Sequence, residues 1–431
     1  MTRAKPRTAR DVALDVLVRV DDGAYSNLVL PSALARSNLE LRDRAFATDL
    51  VYGTLRSQGR NDSALVLHCD RPLQSLDPVV RAALRMGVYQ LRSGVAPHAA
   101  VSATVDACSA RLPKARGFVN AILRRVSDTP DTAPTDGNTP DVIAARTMMP
   151  RWIVELAEQR FGDSTEEVLA SMNEIPSVTL RVDRGNPAEV ADELRNAGAT
   201  VEPGALMSNA LRVRGTGDPA QLPVVRDGRA TPQDEGSQAV VAVVGAQAGD
   251  RVLDLAAAPG GKTTGIAAAV GPSGLVVASD LVPGRAARVA QAVHRIGLSQ
   301  CVVLVADGRA LPLRASFDRV LLDAPCSGLG VLRRRAEARW RVQPGEVGTL
   351  AARQRELLVA AATQVRPGGV LTYAVCTFTI EETDAVVEWA VRELPEFRLL
   401  PTPDGFWQPT ASGGALLAPG PTDGMFVAQF E

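Results

Sequence analysis

Two cysteines stand at positions where covalent chemistry is feasible. Cys326 lies in Asp323-Ala-Pro-Cys-Ser-Gly-Leu-Gly330, directly after the apolar run Phe317-Asp-Arg-Val-Leu-Leu322, and Cys376 directly follows Gly369-Val-Leu-Thr-Tyr-Ala-Val375. Both runs have the length and residue types of buried strands, so each thiol comes at a strand's carboxyl end. A thiolate there is a nucleophile, but a free thiol with a pKa near 8.5 is only a few per cent ionised at neutral pH, so a nearby Lys or Arg is needed to lower it. Cys301 opens its own strand and faces the opposite end, which makes it a structural thiol. The five cysteines form no Cys-x-x-Cys pair and there are three histidines, so no metal site is expected. The odd count argues for reduced thiols over a disulfide framework.

What must position these thiols is read from residues 251–264, Arg251-Val-Leu-Asp-Leu-Ala-Ala-Ala-Pro-Gly-Gly-Lys-Thr-Thr264. Val252, Leu253 and Leu255 make a strand, Pro259-Gly260-Gly261 a tight turn, and Thr263 to Val270 a helix. Glycines let a ligand approach the backbone, and the free amides of the helix start favour electronegative groups. Neither Gly-x-x-x-x-Gly-Lys-Ser/Thr nor Gly-x-Gly-x-x-Gly is present, which favours a nucleotide-like cofactor without phosphates. The next strand, Leu275–Asp280, ends in an acid about twenty residues after the glycines, where a carboxylate grips ribose hydroxyls in doubly wound folds. A third strand, 301–306, ends before Asp307-Gly308. Three strand ends carrying a glycine turn, Asp280 and Asp307 suit an adenosine with a charged tail, and S-adenosylmethionine is the economical choice.

Strands at 251–256, 275–280, 301–306, 317–323 and 369–376 alternate with helices, which predicts a Rossmann-like parallel sheet with ligands at the carboxyl ends. When strand order reverses at the first strand, the fourth and fifth are neighbours, and Cys326 and Cys376 lie side by side. A thiol beside a methyl donor suits an acceptor too weak to act alone, such as C5 of a pyrimidine. Thiolate addition at C6 makes C5 enamine-like, C5 takes the methyl, and loss of the C5 proton releases the thiol. Asp323 could hydrogen-bond the exocyclic amine and N3 of cytosine. These residues leave open which thiol attacks, and whether the pair is instead a redox couple.

Upstream, residues 8–126 show helical spacing of apolar residues and predict six or seven helices. Ser127 to Asp141 reads as an exposed linker, followed by a small α/β, RRM-like module and by the catalytic domain. The expected boundaries are 1–130, 131–141, 142–235 and 236–431. Residues 1–130 hold 19 Lys and Arg against 12 Asp and Glu, and the remainder 28 against 36, so the front of the chain could meet a polyanion. Only three of the basic residues are lysines, and one of them, Lys262, sits in the glycine turn. Arg333-Arg334-Arg335 with Arg339 and Arg341 could grip RNA phosphates. Aromatic residues are 4% of the chain, which favours a single flipped or looped-out base over a stacking platform. With 46% hydrophobic residues, no apolar leader and a long uncharged stretch, Thr263 to Ser279, that glycine and proline interrupt, a cytoplasmic monomer without membrane attachment is expected.

Two resemblances extend this reading. Leu41 to Leu55, with Pro97-His-Ala-Ala-Val-Ser and Gly117-Phe-Val-Asn-Ala-Ile-Leu-Arg-Arg125, resembles the NusB family of RNA-binding helical domains. Asp254 to Lys262, Asp323 to Gly330 with Arg333-Arg334 and Trp340, Arg366-Pro-Gly-Gly369, Thr372 to Thr377 and Asp423-Gly-Met-Phe426 resemble the Sun/Fmu family of RNA cytosine-C5 methyltransferases. The order of parts is similar to the bacterial 16S rRNA members. That resemblance implies Cys376 as nucleophile, Cys326 as an aid to release, Lys262 and Asp323 at the reacting centre, 16S rRNA as partner, and S-adenosylmethionine as cofactor, with Ala256, Ala257, Ala258, Pro259, Gly260, Gly261, Lys262, Asp280, Asp307 and Asp323 holding it and the target base. One departure is visible: Ala256 stands where the family has cysteine, and no loss of activity is expected from it. A DNA cytosine-C5 methyltransferase, with the Pro-Cys thiol Cys326 attacking, and a non-catalytic RNA-binding or assembly factor are the competing readings.

Overall fold

The computed structural model describes residues 7–130, 136–313 and 316–431. They form two compact units. One contains the chain up to Glu155 together with Arg334–Arg341, and the other holds Leu156–Arg333 and Val342–Glu431. The sequence boundaries at 130 and 141 therefore fall inside the first unit, and that at 235 inside the second.

The first unit is helical. Between Ala9 and Asp128, among the described residues, run seven α-helices: Ala9–Asp21, Ser26–Ala35, Leu41–Arg56, Gln58–Val66, Pro78–Arg92, Pro97–Ser109 and Arg116–Asp128. Thr8 and Asp11 start the first with a reciprocal capping box, and Val12, Leu14, Val16, Leu17 and Val20 bury its apolar side. Helix 78–92 packs close to helix 116–128 because Gly87 faces Leu123, where a Cβ would come within 2.6 Å of Leu123 Cδ1. Of the expected linker, residues 131–135 lie outside the described residues. Helices run up to Asp128 and resume at Pro140, which leaves an exposed stretch at 129–130 and 136–139.

The segment Arg334–Arg341 completes this unit. Ala336 joins its apolar core, and the buried Glu337 carboxylate accepts hydrogen bonds from Ser26 N at 3.0 Å and Ser26 Oγ at 2.9 Å. Arg339, fully buried, donates to the carbonyls of Arg56 and Met148 at 3.2 and 3.4 Å. Burial and the Arg56 charge pull its pKa down to about 9. Arg341 donates to the carbonyls of Val20, at 2.7 Å, and Ala24, and it lies over the Tyr25 ring.

In the second unit, β1 (Val178–Val182), β2 (Thr200–Pro203), β3 (Ala210–Arg214) and β4 (Ala230–Pro232) form an antiparallel sheet in the order β2-β3-β1-β4. Helices Pro187–Asn196 and Pro223–Arg226 make it a βαββαβ module. Sequence periodicity identifies β1 and β3 only. β2 and β4, of four and three residues, are edge strands ending in Pro203 and Pro232, too short to show an alternation.

The larger sheet contains β5 (Arg251–Leu255), β6 (Leu275–Asp280), β7 (Cys301–Val305), β8 (Phe317–Asp323), β9 (Val365–Val375), β10 (Gln408–Pro409), β11 (Ala415–Leu417) and β12 (Met425–Phe430), in the order β10-β11-β12-β9-β8-β5-β6-β7. Pairing is parallel from β7 to β9 and antiparallel from β9 to β10, so the Rossmann-like sheet is mixed rather than purely parallel. β6 and β8 flank β5, which makes β5 the point where strand order reverses and β8 and β9 neighbours. No helix among the described residues is long and apolar enough to cross a membrane.

Candidate active site

The carboxyl end of β5 builds the first wall of the site. Ala256 takes a left-handed φ of 64°, the Ala258–Pro259 peptide is cis, and Gly260 at φ 103° opens the helix Gly261–Val270. A Cβ at Gly260 would lie 3.1 Å from Val289 Cα, so only glycine satisfies both the backbone angle and the close approach. Asp254, fully buried, accepts from Thr263 Oγ1 at 2.6 Å through Oδ2, and its Oδ1 has no hydrogen-bond partner. Burial pushes its pKa up to about 7.

Sequence reasoning missed Arg181. This buried arginine of β1 donates to the Gly261 carbonyl at 2.7 Å and to Thr264 Oγ1 at 2.9 Å, while its Nε pairs with Asp183 at 2.7 Å. The small module thus braces the glycine turn from 80 residues upstream, a distance over which no local pattern signals the contact.

The two acids at the next strand ends differ. Asp280 closes β6 and is 4% exposed; Oδ1 accepts from Val282 N at 3.0 Å, and Oδ2 faces Arg285 Nε at 3.2 Å without a hydrogen bond. Asp307 follows β7, half-buried, and pairs with Arg309, which donates from its backbone N at 3.0 Å and its guanidinium at 2.7 Å. Those bonds drive its carboxyl down to about 2.

β8 and β9 deliver the thiols. Cys326 Sγ and Cys376 Sγ stand 3.3 Å apart. Beside them Lys262 Nζ donates to Asp323 Oδ2 at 2.7 Å. Burial alone would depress the Lys262 ammonium, but the charges of Asp323 and Cys376 and the Asp323 hydrogen bond outweigh it and raise the pKa. The Cys326 thiol is held well above its ordinary value, first by its hydrogen bond with Cys376 and then by burial. Cys301 begins β7, at the opposite end of the sheet, and burial raises its thiol to about 12. Of the residues singled out in the sequence, the run Ala256 to Lys262, Asp280, Asp323, Cys326 and Cys376 therefore come at the carboxyl ends of adjacent strands.

Arg333 is occupied elsewhere. It is buried and donates to the carbonyls of Gly420 and Pro421, each at 2.9 Å. Together with the internal bonds of Arg339 and Arg341, this turns three of the five arginines expected to grip RNA phosphates onto carbonyls of the protein itself, while Arg335 is exposed.

Residues 241–431 match the model for the 16S rRNA methyltransferase RsmB/F, residues 7–128 the NusB family, and residues 149–218 the ferredoxin-like domain of RsmF/B-like methyltransferases. The ribosomal RNA small subunit methyltransferase B of Yersinia pseudotuberculosis is 31% identical over 423 residues, 96% of each chain. The chain belongs to the RsmB/F family of 16S rRNA methyltransferases. A Mycobacterium tuberculosis protein named as a methyltransferase is 41% identical over 97% of this chain and 95% of its own. The crystal structure of PH0851 superposes with a TM-score of 0.89 at 27% identity, covering 99% of both chains. In RsmB/F terms, the small module is the ferredoxin-like domain and the helical front is the NusB domain.

Proposed function

We propose that this RsmB/F methyltransferase methylates C5 of a cytosine in 16S rRNA, with Cys376 as the nucleophile. The observation that carries the reading is the pair of sulfurs 3.3 Å apart beside the Lys262–Asp323 ion pair. S-adenosylmethionine, when bound, supplies the methyl group on a sulfonium. The residues fit it: the buried Asp280 Oδ2, which accepts no hydrogen bond, suits a ribose hydroxyl, and the glycine turn admits a ligand against its backbone.

The two thiols divide the work through their surroundings. The charge of Lys262 favours a thiolate on Cys376, and the raised Cys326 thiol keeps its proton. Cys376 Sγ attacks C6, and the pair of electrons displaced from the C5–C6 double bond forms the C5–methyl bond. Loss of the C5 proton to water then restores the double bond and breaks the Sγ–C6 bond. Cys326 Sγ–H donates a hydrogen bond to the departing thiolate. Asp323, with Oδ2 on Lys262, presents Oδ1 to the cytosine amine. The NusB-type front, rich in arginine, suits RNA binding.

Incubation of the protein with labelled S-adenosylmethionine and 16S rRNA tests the reading. Cys376→Ala should abolish transfer, a fall of at least ~10⁴-fold, and Cys326→Ala should accumulate a denaturant-stable protein–RNA adduct. Transfer that survives in Cys376→Ala would refute the assignment. Loss of attack in Cys326→Ala, with Cys376 dispensable, would support the DNA-type mechanism instead. RNA binding without transfer would leave an assembly factor.

A further inference from the structure

A buried carboxylate lies behind the two sulfurs, and the chemistry above does not use it. Glu382 is fully buried on the turn after β9. Its Oε1 accepts from Ser327 N at 2.8 Å and Gln354 Nε2 at 3.0 Å; its Oε2 accepts from Ser327 Oγ at 2.5 Å and Thr379 Oγ1 at 2.9 Å. Four donors on one carboxylate satisfy nearly all its acceptor capacity. These donors come from three separate pieces of chain. Ser327 is the residue after Cys326, Thr379 lies three residues after Cys376, and Gln354 belongs to the helix Pro344–Ala362.

The bonds converge on the spacing of the thiols. Ser327 Oγ also meets Thr377 Oγ1 at 2.8 Å, which ties the residue after one cysteine to the residue after the other. Gln354 Nε2 holds the Pro325 carbonyl at 2.9 Å, on the other side of Cys326. Tyr373 of β9 places its hydroxyl 2.9 Å from Gln354 Oε1 and 2.7 Å from the Glu382 carbonyl. Every side chain in this network is buried.

We infer that Glu382 is a positioning residue for methyl transfer: its carboxylate pins the loop of Cys326 to the loop of Cys376 and so fixes the two sulfurs within reach of one base. The inference rests on the function proposed above. The Glu382 carboxylate bonds to Ser327, Gln354 and Thr379, and it sets the spacing of the sulfurs through Ser327 and Thr377. The carboxylate's hydrogen bonds, rather than its charge, do the pinning. An amide can reproduce them: its oxygen can keep the two N–H donors at the Oε1 position, and its nitrogen can donate to the two hydroxyls, which rotate to accept.

The test compares Glu382→Ala and Glu382→Gln in the full chain, with two readouts. The first is methyl transfer to 16S rRNA, resolved into kcat and KM for S-adenosylmethionine. The second uses neither RNA nor donor. Diamide converts the two thiols to a disulfide, its N=N bond taking up their two electrons and two protons, and the rate of Cys326–Cys376 disulfide formation reports the spacing directly. Glu382→Ala should lower kcat about 10- to 100-fold, as loss of an orienting outer partner does elsewhere, leave KM for the donor within about threefold, and slow disulfide formation at least about tenfold. Glu382→Gln should restore both rates to within about threefold of the parent protein. A folded Glu382→Ala protein with unchanged kcat and disulfide rate overturns the inference, and so does a Glu382→Gln protein as defective as the alanine variant. Should Glu382→Ala fail to fold, Ser327→Ala removes the shared hydroxyl and must slow both readouts in the same proportion. If the parent protein transfers no methyl but Glu382→Ala still slows disulfide formation, the positioning role stands and the proposed reaction fails.

Discussion

The carboxyl edge of the β5–β9 sheet and the stretch Arg333–Arg341 are equally conspicuous as clusters of polar residues, yet they end in opposite states. At the sheet edge, buried groups retain unused capacity: Asp254 Oδ1 and Asp280 Oδ2 accept no hydrogen bond, and two sulfurs face each other. In the arginine stretch, Arg333, Arg339 and Arg341 direct their guanidinium groups at backbone carbonyls of the protein itself. Guanidinium groups turned onto carbonyls of the fold are not presented to a ligand, so a cluster of charges marks a site only where the side chains face outward or into a cleft.

The largest effect expected from this contrast concerns Asp254. Its carboxyl has a pKa of about 7 in the folded protein against an ordinary value of 3.8. The native state therefore holds a proton that the unfolded chain has lost between about pH 4 and pH 7. Stability falls as pH rises through that window and is flat above it. Asp254→Asn, which can still accept from Thr263, should remove up to about 3 kcal/mol of that loss between pH 5 and pH 8, as denaturant unfolding at those two pH values would measure. An unchanged pH profile would break the claim that the edge stores an unsatisfied acid. Next, Arg339→Ala should cost about 3 kcal/mol of stability by stranding buried carbonyls. The slope of log K against log salt for RNA binding should stay constant, whereas loss of a phosphate contact would reduce it by about 1.

Smaller effects separate the two acids. Asp280→Ala should weaken S-adenosylmethionine binding about 10- to 100-fold, the range for a hydrogen bond to a charged group, measured by calorimetry. Asp307→Ala should change it by less than about threefold, because Arg309 already occupies that carboxylate. Equal losses in both would erase the distinction between an acid with an oxygen that accepts no hydrogen bond and one bonded by its neighbour's backbone and guanidinium.

Much of this edge was legible in the sequence because its motifs sit where strands end. Alternation of apolar runs locates β5 to β9, and the rule for strand reversal alone brings Cys326 and Cys376 together. The helical front was legible from the spacing of Val12, Val16, Leu17 and Val20. What stayed hidden depended on long-range partners. Arg181 and Gln354 look like ordinary polar residues of a strand and a helix until their partners 80 and 29 residues away are known. The same lack of partners made the arginine run read as a surface, because sequence counts charges and cannot show which carbonyls they face. β10 and β11 escaped because two- and three-residue strands carry no periodicity.

The helical unit is assembled from two stretches of chain, and this bears on how it is made. The last of its residues, 334–341, leave the ribosome about 190 residues after Glu155, a delay of roughly 10 to 40 s at common rates of synthesis. During that interval the nascent front lacks Ala336, Glu337 and Arg339, so Ser26 and the carbonyls of Arg56 and Met148 wait for partners that have not been translated. Although it comes first in the gene, this unit can finish its core only after strands β1 to β8 have emerged, and residues 1–155 alone would lack the segment that closes it.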